Sequence, residues 1–251
     1  MSPSRRKWIA RGATALAGAS GVAVAARLAD KYGLIPPDGV GVWGPGETLT
    51  YAAQRLLGAN ALAREFTRDQ ITKPPRANGR PPQDEEFKRL EASGFTDWRL
   101  AISGMVDRPA TFSIAELKSF PQRGQITHLA CEEGWSYIAE WAGVPLSHVL
   151  NLVGMQPRAR FVVYYSFQTR WWDSLDMADA LHPQTILALG MNGAEIPVAH
   201  GGPLRLRVPR HLGYKSLKYV TRMVVTDTVK NLGKGLGGAT PERGYAWYAG
   251  I

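Results

Sequence analysis

Between residues 98 and 225 the chain is divided into short apolar runs rich in Val, Ile, Leu and Tyr, each closed by Gly, Pro, Asn or Asp. Runs of about 4–8 residues with period-two alternation fit half-buried strands and cannot build a helix bundle. They predict strands over residues 98–102, 125–129, 160–167, 186–191, 204–208 and 219–225, with Asn192-Gly193 as a hairpin turn. In the fifth of these, Leu204, Leu206 and Val208 alternate with Arg205 and Arg207, which reads as one apolar and one basic face. Helices are short. Ser113 and Glu116 make a capping box. Leu146, Val149, Leu150 and Val153 have helical spacing and Gly154 stops them. Residues 174–181 read as a further helix closed by Pro183. Many short strands with a few short helices indicate an α+β or mainly β fold.

Upstream, residues 47–66 are rich in Ala and Leu and predict a helix with Gly58 as an interruption. Residues 72–83, TKPPRANGRPPQ, are Pro-rich and polar and predict an extended crossing segment. The chain starts with SRRKWI, and residues 13–26 contain only Ala, Gly, Thr, Leu, Ser and Val. A spanning helix needs about 20 apolar residues, so a basic stretch before a shorter apolar one reads as an export signal, with Ala23-Val24-Ala25 as a cleavage site; an uncleaved amphipathic helix and an uncleaved membrane anchor are the alternatives. Arg5 and Arg6, followed by Trp8 and Ile9, predict the twin-arginine route, hence the twin-arginine export machinery as a partner and a periplasmic or otherwise extracytoplasmic location. Of the net charge of +9, Arg5, Arg6, Lys7 and Arg11 carry four, leaving +9 − 4 = +5 for the rest. Such a mildly basic surface suits nucleic acid, anionic lipid or an acidic small molecule alike.

The chain has one cysteine, Cys131, so no internal disulfide can staple it. A lone cysteine is either an inert buried side chain or a ligand. No Walker loop, G-x-G-x-x-G, G-x-S-x-G or H-E-x-x-H is present, and five scattered histidines show no zinc spacing. His128 lies three residues before Cys131, which on a strand directs the two side chains to opposite faces and weakens a Cys–His nucleophile.

Two segments carry more. Residues 127–150 read THLACEEGWSYIAEWAGVPLSHVL and residues 200–220 read HGGPLRLRVPRHLGYKSLKYV, with SLDMADALHP between them. The order Cys-x-x-x-Trp-Ser, Trp-x-Gly-x-Pro-Leu, His-Gly-x-Pro-Leu-Arg-Leu and Gly-x-Lys-x-x-Lys resembles the molybdopterin-binding domain of the sulfite oxidase family, over residues 60–228.

The resemblance implies an α+β fold of mixed sheets around a buried pterin, in an oxidoreductase that carries a molybdenum–molybdopterin cofactor. On this reading the chain divides into a signal segment (1–25), a helical and extended N-terminal region (26–94), a molybdopterin-binding core (95–230) and a tail (231–251). Cys131 is implied as the metal's thiolate ligand and a catalytic residue, a soft donor suited to a metal already held by sulfur. His200 and Arg205 are implied as pterin contacts, Ser216, Leu217 and Lys218 as the phosphate's surroundings, and Ser166 as a neighbour of the ligand loop. Gly213 would let the backbone approach, with Lys215 adding charge. Arg68 lies where sulfite oxidases place an active-site arginine, but Asp69-Gln70 replaces their Asn-His, which departs from sulfite as the substrate. Trp171 and Trp172 border the expected pocket.

The implied reaction is two-electron oxygen-atom transfer on a small substrate such as a sulfoxide or a sulfur oxyanion. No C-x-x-C-H exists, so electrons would pass to or from a separate partner, a membrane haem protein or a soluble cytochrome. Two other readings stand beside this one: a cofactor-binding protein without catalysis, and a basic anion-binding module built on RLRVPRHLGYKSLKYVTR. Export speaks against nucleic acid as a partner of the latter.

Overall fold

The backbone pairing that these strands need is met by two sheets. The computed structural model describes residues 27–30 and 32–251, so the twin-arginine segment and its cleavage site lie outside the described residues. The chain divides into two compact units between Gly58 and Ala59. The N-terminal unit contains one long helix, α1 (Gly44–Leu57), with Pro at its start and Gly58 as its C-cap.

In the second unit, residues 59–94 pack together with the residues that follow them. The helix expected to reach residue 66 stops at Leu57, because the chain beyond it pairs with a strand: Glu65 bridges Thr127, and the Phe66 amide donates to the carbonyl of Ile126 at 2.9 Å. The Pro-rich stretch is extended, as predicted, and leads into α2 (Glu85–Ala92), which buries Phe87 and Leu90 against Trp98 and Tyr219.

The first sheet has the order β2-β1-β10-β5-β6, formed by β1 (Arg99–Gly104), β2 (Ala110–Ser113), β5 (Phe161–Ser166), β6 (Trp172–Asp176) and β10 (Val220–Thr226). β10 pairs in parallel with β1 and antiparallel with β5, so the latest strand in sequence occupies the centre. The second sheet contains β3 (Arg123–Ala130), β4 (Ser136–Pro145), β7 (Ile186–Met191) and β8 (Ala194–Glu195), with β9 (Arg205–Arg207) paired to β7. Ser113 caps α3 (Ile114–Ser119) through the predicted box. α4 (Leu146–Leu152) buries Leu146, Val149 and Leu150.

One apolar cluster takes Leu100, Val162 and Val225 from the first sheet, Leu187 and Leu206 from the second, and the buried face of α4. Fully burying each such side chain contributes about 1.5–3 kcal/mol. Asn192 and Gly193, at φ 52° and 82°, make the predicted hairpin turn.

A further expectation fails. The helix expected over residues 174–181 is reduced to α5 (Met177–Ala180), because Trp172–Asp176 pairs with β5 in register Tyr165↔Trp172 to Phe161↔Asp176. The basic face of β9 is covered: Arg205 and Arg207 are 5% and 0% exposed.

Candidate active site

Cys131 is placed by a strand-to-strand turn. β3 and β4 are registered up to Ala130↔Ser136, and residues 131–135 close the hairpin with the Cys131 amide on the Trp135 carbonyl (2.9 Å) and the Gly134 amide on the Cys131 carbonyl (3.1 Å). The turn points the thiol into a cavity of about 530 Å3, within the range of small-molecule sites. Burial pushes the Cys131 thiol up to about 11, and the charges of Glu132 and Glu133 act in the same direction. The sulfur has Glu132 Oε2 at 3.3 Å and Asn78 Nδ2 at 4.0 Å. A thiol so placed gives up its proton only to a strong local positive charge.

Cations stand on β9 and on the loop after it, and two of them, Arg205 and Lys218, line the same cavity. Arg205 donates through Nε to the Ser216 carbonyl (3.1 Å) and through Nη1 to the His200 carbonyl (2.8 Å). Arg207 reaches Ser216 Oγ, Thr127 Oγ1 and the His128 carbonyl. Lys218 Nζ donates to the carbonyls of Asn78 and Ala199. Every one of these acceptors is uncharged. The Trp141 ring lies 5.2 Å from the Arg205 guanidinium and 5.8 Å from that of Arg207, which compensates part of their lost hydration. Burial and the neighbouring Arg205 pull Lys218 down to about 7 and Arg207 to about 9. Cations gathered on neutral acceptors suit a multiply charged anion.

Seven of the residues expected at the site line this cavity: Cys131, Ser166, Arg205, Gly213, Ser216, Leu217 and Lys218. A Cβ at Gly213 would stand 3.2 Å from the Ala130 carbonyl oxygen, so this loop lies close against the cysteine turn. Gly201 has φ +106°, and a Cβ on it would meet Lys218 Cγ at 2.8 Å. Trp171 and Trp172 line the cavity as well.

Three expected residues do not. Lys215 turns inward at a 3-10 turn (Gly213–Lys215); its ammonium is fully buried and donates to Asp173 Oδ1 (2.8 Å) and the Ser174 carbonyl (3.1 Å), beside the Trp247 ring. It is a structural cation and not an anion contact. Arg68 stands on the surface in a bidentate pair with Glu140 at 3.0 and 2.6 Å. His200 lies behind the wall, its ring against Tyr137, and burial together with Arg205 and Lys218 pulls it down to about 4, so it is neutral at neutral pH.

Other lining residues escaped sequence reasoning. Asn78, Arg80 and Pro82 come from the extended crossing segment, Tyr214 from the lysine loop and Thr240 from the tail. The crossing segment was visible only as a Pro-rich stretch without periodicity, and Asn78-Gly79 within it was its one turn signal.

Residues 88–232 match the family described as the oxidoreductase molybdopterin binding domain. The chain belongs to the molybdopterin-binding oxidoreductases of the sulfite oxidase family. Among relatives of this oxidoreductase is the protein-methionine-sulfoxide reductase subunit YedZ1 of Azospira oryzae, a provisional name. It is 37% identical over 195 residues, which are 78% of this chain and 70% of that protein. The protein-methionine-sulfoxide reductase catalytic subunit MsrP of Xanthomonas campestris pv. campestris is 34% identical over 151 residues, 54% of this chain and 47% of that one. The fold is similar to that of the sulfane dehydrogenase SoxCD from Paracoccus pantotrophus, with TM-score 0.54 and 23% identity, over 68% of this chain and 46% of that chain.

The residues present fit the family's cofactor. Among the described residues no group of three or more His, Cys, Asp or Glu side chains could hold a metal unaided. A single thiolate facing a cavity therefore suits a metal that brings its other ligands with it, and the cationic wall suits a phosphorylated organic group.

Proposed function

We propose that the cavity holds a molybdenum–molybdopterin cofactor and that the enzyme reduces sulfoxides, foremost methionine sulfoxide within a polypeptide. The carrying observation is the Cys131 thiol opening into a cavity that Arg205 and Lys218 also line. Cys131 would ligate the metal, Arg205 and Lys218 would hold the anionic part of the pterin, and Ser216 and Gly213 would let the backbone close on it. When bound, the group supplies two-electron oxygen-atom exchange. The overall step balances as sulfoxide plus two electrons and two protons giving sulfide and water: the S–O bond breaks, sulfur regains its electron pair and the oxygen leaves as water.

The chain's own part is placement. Pro82, Trp135 and Trp172 give the cavity an apolar wall that suits a thioether and keeps bulk water away. Arg68, which an oxyanion reading would place at the substrate, is tied to Glu140 outside the lining, and this favours a neutral sulfoxide over sulfite. Two relatives carry methionine sulfoxide reductase in their names. Both are also named as subunits, which supports electrons arriving from a separate partner, a membrane haem protein or a soluble cytochrome.

Anaerobic assay of the holoenzyme with a reduced viologen dye tests the reaction. N-acetylmethionine sulfoxide should be consumed with two dye equivalents oxidised per sulfide formed. Absence of any sulfoxide turnover, with sulfite oxidised under the reverse arrangement, would overturn the reading.

Lys218→Ala should lower cofactor occupancy and leave activity per bound molybdenum close to its starting value. A hydrogen bond to a charged group contributes about 1.5–3 kcal/mol, so affinity for the cofactor should fall roughly ten- to hundredfold. Molybdenum content in a cofactor-limited expression series is the measurement. Full content with a collapsed rate per molybdenum would place Lys218 at the substrate instead.

A further inference from the structure

At the mouth of the cavity a cationic rim surrounds an exposed indole. Trp171, on the loop between β5 and β6, is 37% exposed and lines the cavity. The guanidinium of Arg243, from the tail, lies 4.1 Å from the centre of its ring, and that of Arg170 lies at 6.0 Å. Arg243 Nη2 also donates to the Arg170 carbonyl at 3.4 Å, which ties the tail to this loop. Gln168 Nε2 donates to the Arg80 carbonyl at 3.5 Å, which brings the crossing segment to the same edge.

Arg80, Arg170 and Arg243 are all exposed, and among the described residues none of them is in an ion pair. Two carboxylates share the lining: Glu132, which faces the Cys131 sulfur, and Asp84, which begins α2. A guanidinium over an indole face still has N–H donors at its edge, and such donors suit carboxylate contact. Reducing a small sulfoxide in the cavity has no use for cations outside it.

We propose that this rim of Trp171, Arg170, Arg243 and Arg80 binds the polypeptide on either side of the sulfoxide and selects sequences with Asp or Glu close to the methionine sulfoxide. The inference rests on the sulfoxide reading above. The methionine side chain enters the cavity, the flanking backbone stays at the mouth, and acidic side chains reach the free guanidinium edges. The indole supplies apolar contact, and the arginines make the choice.

The test uses holoenzyme, a reduced viologen donor and three peptides with one methionine sulfoxide each, flanked by acidic, neutral or basic residues, beside N-acetylmethionine sulfoxide. Exposed ion pairs give a few-fold each, so kcat/KM should favour the acidic over the basic peptide about tenfold at low salt. The preference should shrink towards unity as ionic strength approaches about 1 M, where the screening length is near 3 Å. Arg243→Glu should reverse it, and Arg243→Ala should lower the ratio of acidic-peptide to N-acetylmethionine sulfoxide kcat/KM about threefold. Equal kcat/KM for the three peptides at low salt, or an Arg243→Glu variant that slows every sulfoxide alike, would overturn the proposal. Calorimetric binding of the same peptides reads the rim without the reaction. A salt-sensitive acidic preference in binding, with no turnover of any sulfoxide, would uphold the rim and overturn the reaction; binding indifferent to charge would overturn the rim.

Discussion

Cys131→Ser should reduce turnover more than about a thousandfold, which corresponds to roughly 4 kcal/mol of lost transition-state stabilisation. The reason is chemical and not structural. A hydroxyl is a hard, reluctantly ionised donor, whereas the metal expected at this position calls for a soft thiolate. The fold should survive, because the side chain is small, takes part in no ion pair and is positioned by backbone hydrogen bonds of the 131–135 turn that serine also makes. Thermal unfolding of the apoprotein should move by less than about 1 kcal/mol, within the ordinary range for a conservative substitution. Elemental analysis for molybdenum alongside kcat decides the matter: a fully metallated serine variant with wild-type turnover would remove Cys131 from the metal.

The second large effect concerns stability. Asp173→Ala should cost the apoprotein about 3–5 kcal/mol, because it strands the Lys215 ammonium, fully buried, without its counter-charge. That is a large share of the roughly 5–15 kcal/mol that holds a domain folded. The unfolding midpoint should drop by about 6–20 °C. Lys215→Met alone should be damaging for the reciprocal reason, and the double variant Asp173→Ala with Lys215→Met should lose less than the two single losses added together. Denaturant titration of the three variants checks this. A single-variant loss below about 1 kcal/mol would mean that the pair is hydrated in solution.

The fate of the two lysines shows where sequence reading reaches its limit. Lys215 and Lys218 sit in one Gly-x-Lys-x-x-Lys loop, and composition cannot separate them. The 3-10 turn sends the first towards Asp173 and leaves the second on the cavity. Arg205 and Arg207 show a related limit: period two reveals that a strand has two faces but not that both are covered, here by Trp141, Ser216 and the carbonyls of His128 and His200.

Local signals held wherever they were self-contained. The Ser113 and Glu116 box, the Gly154 stop at φ +69° and the Asn192-Gly193 turn all depend on backbone chemistry within a few residues. Residues 174–176 were misread because their pairing with β5 overrides local preference. The crossing segment was legible as extended chain, but its role as a cavity wall depends on residues far away in sequence, such as Lys218 and Cys131. Arg68 was misplaced for the same reason, since its partner Glu140 lies across β4.

The central position of β10 has a consequence for how the molecule assembles. Until residues 220–226 arrive, β1 and β5 each present an open edge, and the β1–β2 and β5–β6 hairpins are separate pieces with nothing between them. Joining them requires closing a long loop from β1 to its parallel neighbour, a nonlocal step of the kind that slows folding. β10 follows directly after Lys218 and Tyr219, so the same step that completes the sheet also fixes the end of the loop that lines the cavity. The lining of the cavity is therefore complete only once this sheet has closed, and a chain still lacking β10 has no finished pocket to offer a ligand.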